Sequence, residues 1–138
     1  MMIDAIQIAL SGLMAASRKV AAVASNVANL QTVGSLDNPQ ETPYTPLETQ
    51  QTAQSDSNGN PLGVQSTFVL KATPFVPAYD PGSPFANADG LVGMPNIDLA
   101  EEAVNMMTAK IAYKAGLNVI KTADEMQKDL LNAVNRKV

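Results

Sequence analysis

The chain has 138 residues, 13 of them Asp or Glu against 9 Lys or Arg, with no Cys, no His, no Trp and three Phe. Lacking thiols and imidazoles, it can build no disulfide, thiolate metal site or histidine acid–base centre, so catalysis is disfavoured and no cofactor is expected. A mildly acidic chain without a basic stripe is not built for nucleic acid, and so few aromatics leave a thin core that association is expected to complete.

The first predicted element runs from about Asp4 to Leu30. Asp4 and Gln7 have capping-box spacing, and Ile3, Ile6, Leu10, Leu13, Val20, Ala24 and Val27 then recur at heptad spacing, with Ser17 as the break. Ala15, Ala16, Ala21, Ala22, Ala24 and Ala28 favour helix and are small enough for close helix contact. No apolar run looks long enough to span a bilayer. Arg18 and Lys19 follow the apolar stretch instead of preceding it, so no conventional secretory leader is expected.

Composition changes near Gly34 and again after Pro95: all nine prolines fall between Pro39 and Pro95. This middle module, residues 34–95, also carries Asp37, Glu41, Glu48, Asp56, Asp80 and Asp89 against Lys71 alone. Residues 44–52 and 64–70 have strand-like content around the turn-forming Asp56-Ser57-Asn58-Gly59-Asn60, which predicts a hairpin with Pro46 confining its strand to an edge. Phe75-Val76 is expected to add a short third strand. A disordered Gln/Ser/Thr-rich linker over 49–60 is the competing reading, because that stretch has little to bury. Residues 79–98 are too rich in Pro and Gly for a regular element. They predict an irregular strap with turns at Pro81-Gly82 and Asp89-Gly90, anchored by Tyr79, Phe85, Val92 and Met94.

The final element is one long helix from Leu99, capped by Asp98 with Glu101 completing a capping box. One apolar stripe passes through Leu99, Ala103, Met106, Tyr113, Leu117, Ile120, Leu131 and Val134, interrupted by Lys110, Asp124 and Gln127. A second passes through Val104, Met107, Ile111, Val119, Ala123, Met126 and Leu130. Such an arc is too wide for one partner. Asp98, Glu101 and Glu102 at the start, and Arg136 and Lys137 at the end, complement the helix dipole. Glu101-Glu102 and Asp124-Glu125 are neighbours that point about 100° apart on a helix, so they read as solvated caps and faces, not a catalytic pair.

Asp80-Pro81-Gly82-Ser83-Pro84, Ala88-Asp89-Gly90-Leu91-Val92, Met94-Pro95-Asn96-Ile97-Asp98 and Ala112-Tyr113-Lys114-Ala115 resemble the axial proteins of the bacterial flagellum, in particular basal-body rod proteins of the proximal, FlgC-like type. At the other end, Leu10-Ser11-Gly12-Leu13-Met14-Ala15-Ala16 and Ala24-Ser25-Asn26-Val27-Ala28-Asn29 resemble the start of rod proteins, where paired asparagines close the first helix. The chain departs from the pattern at Leu30-Gln31-Thr32-Val33-Gly34-Ser35, which lacks a Thr-Pro-Gly-Tyr ending, and at Ile111, Lys114 and Gly116 in the long helix.

The resemblance implies an α+β fold in which N- and C-terminal helices, residues 1–33 and 96–138, pair as a coiled coil in one domain beside the β-hairpin-rich module of residues 34–95. It implies a non-enzymatic subunit that polymerises into the tubular drive shaft crossing the periplasm, exported by the flagellar type III apparatus without a cleavable signal. The expected partners are other rod proteins, further copies of the chain and the export-gate and MS-ring base, with no nucleic acid or small-molecule substrate. The expected assembly interface comprises Leu10, Leu13, Val20, Asn26, Val27, Asn29, Met106, Tyr113, Leu117, Ile120 and Leu131. The alternative is a secreted helical adaptor or effector with membrane-binding amphipathic ends, against which stands the lack of a cationic polar face on either helix.

Overall fold

The computed structural model describes residues 2–136, with side chains from residue 4 onward. In chain order it contains α1 (Met2–Ala28), β1 (Leu47–Ser55), β2 (Pro61–Leu70), β3 (Phe75–Tyr79), β4 (Leu91–Pro95) and α2 (Leu99–Asn135). The class is α+β, with two separate two-stranded antiparallel sheets, β1–β2 and β3–β4. Lys137, and the seam position of Ile3, lie outside the described residues and side chains.

Helix α1 starts at Met2, so Asp4 sits in the first turn instead of capping it, where its charge still faces the positive end of the dipole. The helix closes as its asparagines suggest. Asn29 donates its backbone N–H to the carbonyls of Ser25 and Asn26 (3.1 and 3.2 Å) and its side-chain amide to Ser25 (2.9 Å), satisfying carbonyls that a helix end leaves open. Contrary to expectation, Asp4–Ala28 is long and apolar enough, by length and composition, to cross a membrane. Its alanines raise the mean hydropathy past the two interior cations. In this fold its inward face is occupied, with Leu13, Ala15, Ala16, Ala22 and Val23 buried.

The hairpin forms as predicted, and residues 49–60 belong to it instead of forming a linker. Pro46 lies just before β1 and is a fully buried core residue; β1 is an edge strand, as both strands of a two-stranded sheet are. Glu48, Gln50, Thr52, Gln65 and Thr67 share the polar face, while Thr49, Val64 and Ser66 face α1. The loop is a five-residue turn held by Asp56, whose carboxylate accepts from Asn58 N, Asn60 N and Asn60 Nδ2, all at 2.8 Å, with Gly59 at φ +83°. The Asn60 side-chain amide, then the backbone N–H groups, hold the Asp56 carboxyl below its ordinary value. A depressed carboxylate stabilises the loop at pH above its unfolded pKa, and the contribution disappears as pH falls through the folded one. The amide resonances of Asn58 and Asn60 are therefore expected to stay put through pH 5 and move only once the solution is more acidic than an ordinary aspartate pKa, about 3.9.

Phe75-Val76 does not extend this hairpin. It opens β3, which pairs with β4 inside the stretch read from sequence as an irregular strap; Gly93 and Pro95 hid β4 from propensity arguments. The turns at Pro81-Gly82 and Asp89-Gly90 are present, with Gly90 at φ +75° and Asn87 Oδ1 accepting from Asp89 N and Leu91 N. Of the proposed anchors, Val92 is fully buried and Phe85 and Met94 half-buried, but Tyr79 is 75% exposed and anchors nothing.

Gly34 ties the segment after α1 to this sheet, exchanging backbone bonds with Gly93 (3.0 and 2.8 Å). A Cβ on Gly34 would collide with the backbone of Glu41–Pro43, which cannot retreat because the Glu41 carbonyl accepts from Ser35 N at 2.7 Å. Gly12, in α1, has nothing within 4 Å of such a Cβ. Gly34→Ala is expected to cost about 2 kcal/mol through overpacking, whereas Gly12→Ala should gain up to about 1 kcal/mol in helix propensity. Thermal melts of the two variants should therefore move in opposite directions.

Asp98 caps α2, its Oδ1 accepting from Ala100 N at 2.8 Å. Glu101 does not complete the box; its carboxylate turns to Lys71 Nζ at 3.5 Å. Arg136 is the C-cap. The two helices run antiparallel: Asn26 meets Glu102 near one end, Leu13 meets Gly116 midway, and Ala5 faces Ala123 and Met126 at the other. At about 1.5 Å per residue α2 is roughly 55 Å long, and roughly its last two turns run past the start of α1.

Candidate functional site

The seam between the helices is made of small residues. Glu102, Ala109 and Ala123 are the buried positions of α2, and with half-buried Gly116 they recur every seven residues along one face. Gly116 is the seat for Leu13: a Cβ there would stand 3.0 Å from Leu13 Cδ2 and 3.4 Å from the Ala9 carbonyl. Small side chains bring the axes close and leave the large apolar residues on the flanks of the contact or directed away from it.

At one end of the seam, Asn26 joins three parts of the chain. It is 2% exposed, and its Nδ2 donates to Leu47 O and Glu102 Oε1, both at 2.8 Å. Its Oδ1 accepts from Leu47 N at 2.8 Å and from the Tyr44 hydroxyl at 3.0 Å. All four hydrogen-bonding positions of the carboxamide are used. Leu47 is thus paired as if by a neighbouring strand residue, and the start of β1 is fixed to both helices. Further along, Ser11 Oγ accepts from Val64 N at 3.0 Å and Arg18 Nη1 donates to Ser66 O, which seats β2 on α1.

Outside these contacts, α2 leaves large apolar side chains open on several sides, with Lys110, Lys114, Lys121 and Lys128 as a polar strip between them. Leu99, Val104, Met107, Ile111, Tyr113, Leu117, Val119, Met126, Leu130, Leu131 and Val134 are all exposed, as are Leu10, Met14, Val20 and Val27 on α1. Wheel positions at 100° per residue put Tyr113 and Leu117 on one flank of the seam and Val119 and Met126 on the other, with Met107 and Ile111 nearly opposite it. So large an exposed apolar surface, spread over both flanks and the back of one helix, is surface that neighbours cover.

Of the residues expected at the assembly interface, Leu13 and Asn26 are taken up inside the subunit. Asn29, Met106 and Ile120 are half-buried, and Leu10, Val20, Val27, Tyr113, Leu117 and Leu131 remain open. Sequence reading missed the small-residue seam, whose signal was the seven-residue spacing of Ala109, Gly116 and Ala123, and it missed Glu102 as the partner of Asn26. The cavity beside the Asn26 junction, about 270 Å³, is polar, lined among others by Lys19, Lys71, Glu48 and Glu101. Among the described residues no group of three or more candidate ligands is placed to hold a metal ion.

Comparison with known proteins matches both ends of the chain. The family described as Flagella basal body rod protein matches residues 6–34, and that described as Flagellar basal body rod FlgEFG protein C-terminal matches residues 88–133. The flagellar basal-body rod protein FlgC of Salmonella typhimurium is 32% identical over 126 residues, covering 91% of this chain and 92% of the relative. The chain belongs to the FlgC family of flagellar basal-body rod proteins. FlgC of Agrobacterium fabrum is 34% identical over 124 residues, 87% of this chain and 86% of the relative, and FlgC of Escherichia coli O6:H1 is 32% identical over 126. FlgC proteins are structural, and the chain is not an enzyme. The two matched segments are α1 with its closing asparagines and, from residue 88, β4 with most of α2, so the family patterns fall on the helix pair and the strand leading into it.

Proposed function

We propose that the chain is a structural subunit of the flagellar basal-body rod, polymerising through its terminal helices into the tubular shaft that crosses the periplasm. The observation that carries this reading is the apolar arc of α2, left open on both flanks and on the back of the intramolecular seam. Contacts of this kind between unlike patches do not close on themselves and so generate a helical tube, with no chemistry required. In this reading α1 and α2 act as one coiled-coil domain formed by residues 1–33 and 96–138, with residues 34–95 outside it. Leu10, Val20, Val27, Tyr113, Leu117, Ile120 and Leu131 face neighbouring subunits. The partners are other rod proteins and the export-gate and MS-ring base, reached by flagellar export.

The test is electron microscopy of basal bodies from cells with and without the gene. Cells lacking it should yield bases without a complete rod, restored by the plasmid-borne chain. Complete, functional rods in its absence would overturn the proposal.

A further inference from the structure

A side-chain amide followed by glycine is open to attack by its own backbone, because a glycine nitrogen has no neighbouring Cβ to block the approach. Asn58 is the one asparagine of this chain followed by Gly; Asn38 and Asn60 precede Pro, whose nitrogen carries no proton, and the rest precede residues with a side chain. The fold leaves the pair accessible. Asn58 and Gly59 are exposed at the tip of the hairpin, with nothing within 4 Å of the place where a Gly59 Cβ would stand. Asn58 meets Asp56 through its backbone N–H, not through its carboxamide. Asp89-Gly90 is the matching acidic pair, but there a Cβ would stand 3.0 Å from Tyr79 and 3.1 Å from Pro81, and an ionised carboxylate is a poor electrophile.

What restrains the pair is Asp56. Cyclisation needs the Gly59 nitrogen to turn toward Asn58 Cγ, yet its N–H is donated to the Asp56 carbonyl at 3.1 Å. The Asp56 carboxylate accepts three more bonds, from Asn58 N, Asn60 N and Asn60 Nδ2, so opening the tip breaks four contacts around one residue. A turn at an exposed loop tip opens locally at small cost, and chemistry confined to the open form proceeds in proportion to its population. The turn is a brake and not a block.

We propose that Asn58 is a self-modification site, whose carboxamide closes on the Gly59 nitrogen and is then hydrolysed to aspartate or isoaspartate at a rate set by the Asp56 turn. Solvent base takes the Gly59 proton as its nitrogen attacks Asn58 Cγ; the N–Cγ bond forms, the Cγ–Nδ2 bond breaks, and ammonia leaves with a proton from water. The product is a cyclic imide. Water opens it at Cγ to give aspartate or at the main-chain carbonyl to give isoaspartate, with no oxidant, reductant or cofactor involved. Either product adds one negative charge to a chain of formal charge -4 and sets a second carboxylate near that of Asp56. Isoaspartate also lengthens the backbone by a methylene, so Asn58 N and Asn60 N no longer reach Asp56 together. The hairpin tip thus loosens one way with the age of the subunit, while β1 and β2 stay paired below it. The reaction needs nothing from the assembled rod.

The full chain, held for days at mildly alkaline pH and growth temperature, then digested and read by mass spectrometry, should show amide-to-acid conversion at Asn58 before any other asparagine, with isoaspartate among the products. Asp56→Ala removes the three carboxylate bonds and should convert about threefold faster or more, while Asn60→Ala removes only the side-chain bond and should fall between it and wild type. Amide resonances of Gln50 and Thr67 check that the hairpin persists in both variants, and Asn60→Ala carries the comparison if Asp56→Ala loses it. Asn58→Gln, which would have to close a larger ring, should stay unmodified. No conversion at Asn58, conversion of another asparagine ahead of it, or equal rates in wild type and the two turn variants would overturn the inference.

Discussion

Replacing Leu117 by Asp is expected to abolish incorporation of the chain into rods, and with it swimming, while leaving the free subunit folded. Leu117 is exposed on the flank of the α1–α2 seam, so in the free chain a carboxylate there is solvated and costs only about 0.5 kcal/mol of helix propensity. Once a neighbour's apolar side chains cover the position, the same carboxylate is buried without a partner, at a cost of several kcal/mol per contact. Summed over a repeating polymer, that penalty excludes the subunit. Asp124→Ala is the matched control. Asp124 lies on the same stripe, is exposed, and makes an i,i+4 pair with Lys128 at 2.5 Å, whose ammonium it holds above its ordinary pKa. Pairs so open to water contribute little, so this variant should assemble and swim. Normal swimming with Leu117→Asp, or a subunit that no longer folds, would remove Leu117 from the assembly surface.

Asn26→Ala should have the opposite profile, damaging the subunit itself. It strips partners from Leu47 N and O and from one oxygen of the buried Glu102 in a single step, while the Tyr44 hydroxyl keeps Ser25 Oγ at 2.8 Å. Unsatisfied buried groups cost about 1–3 kcal/mol each, partly recovered by water entering the adjacent polar cavity, so a net loss of about 3 kcal/mol and a fall in Tm of roughly 10 °C are expected. Asn26→Asp keeps the two acceptor bonds but sets a second carboxylate against Glu102 and the Leu47 carbonyl. Its melt should recover as the pH is lowered, when the carboxylate pair holds a proton. Glu102→Gln, which still offers an oxygen to Asn26 Nδ2, should cost far less than either. Equal melting of wild type and Asn26→Ala would contradict the role assigned to the junction.

Both long helices, the hairpin and the cap at Asp98 were legible in the sequence, because heptad spacing, alternation and capping chemistry are local signals. Size misled the reading of α2: the large stripes through Leu117 and Val119 announced themselves, whereas the contact with α1 runs along Ala109, Gly116 and Ala123, which only their spacing reveals. Gly116, a departure from the family pattern when seen as sequence, is the seat for Leu13 in the fold. Strand β4 escaped notice because its pairing comes from Gly34 and β3, far off in sequence, and not from the propensity of Leu91–Pro95. Asn26 could be recognised as one of two closing asparagines, but only the fold brings Tyr44, Leu47 and Glu102 to it. Tyr79 shows the reverse error, an aromatic taken for an anchor that the turn at Gly90 leaves in solvent.

In the proposed rod the open apolar arc of α2 is covered by neighbouring subunits. Met107 and Met126 report on it directly, since they lie on different sides of that arc, 63% and 56% exposed, and thioethers open to solvent are readily converted to the sulfoxide. Peroxide treatment of the free chain and of purified basal bodies, read by mass spectrometry, should oxidise both methionines rapidly in the free chain and at least tenfold more slowly in the rod. Equal rates in the two samples would mean that the arc stays in water and that the rod is not built through it.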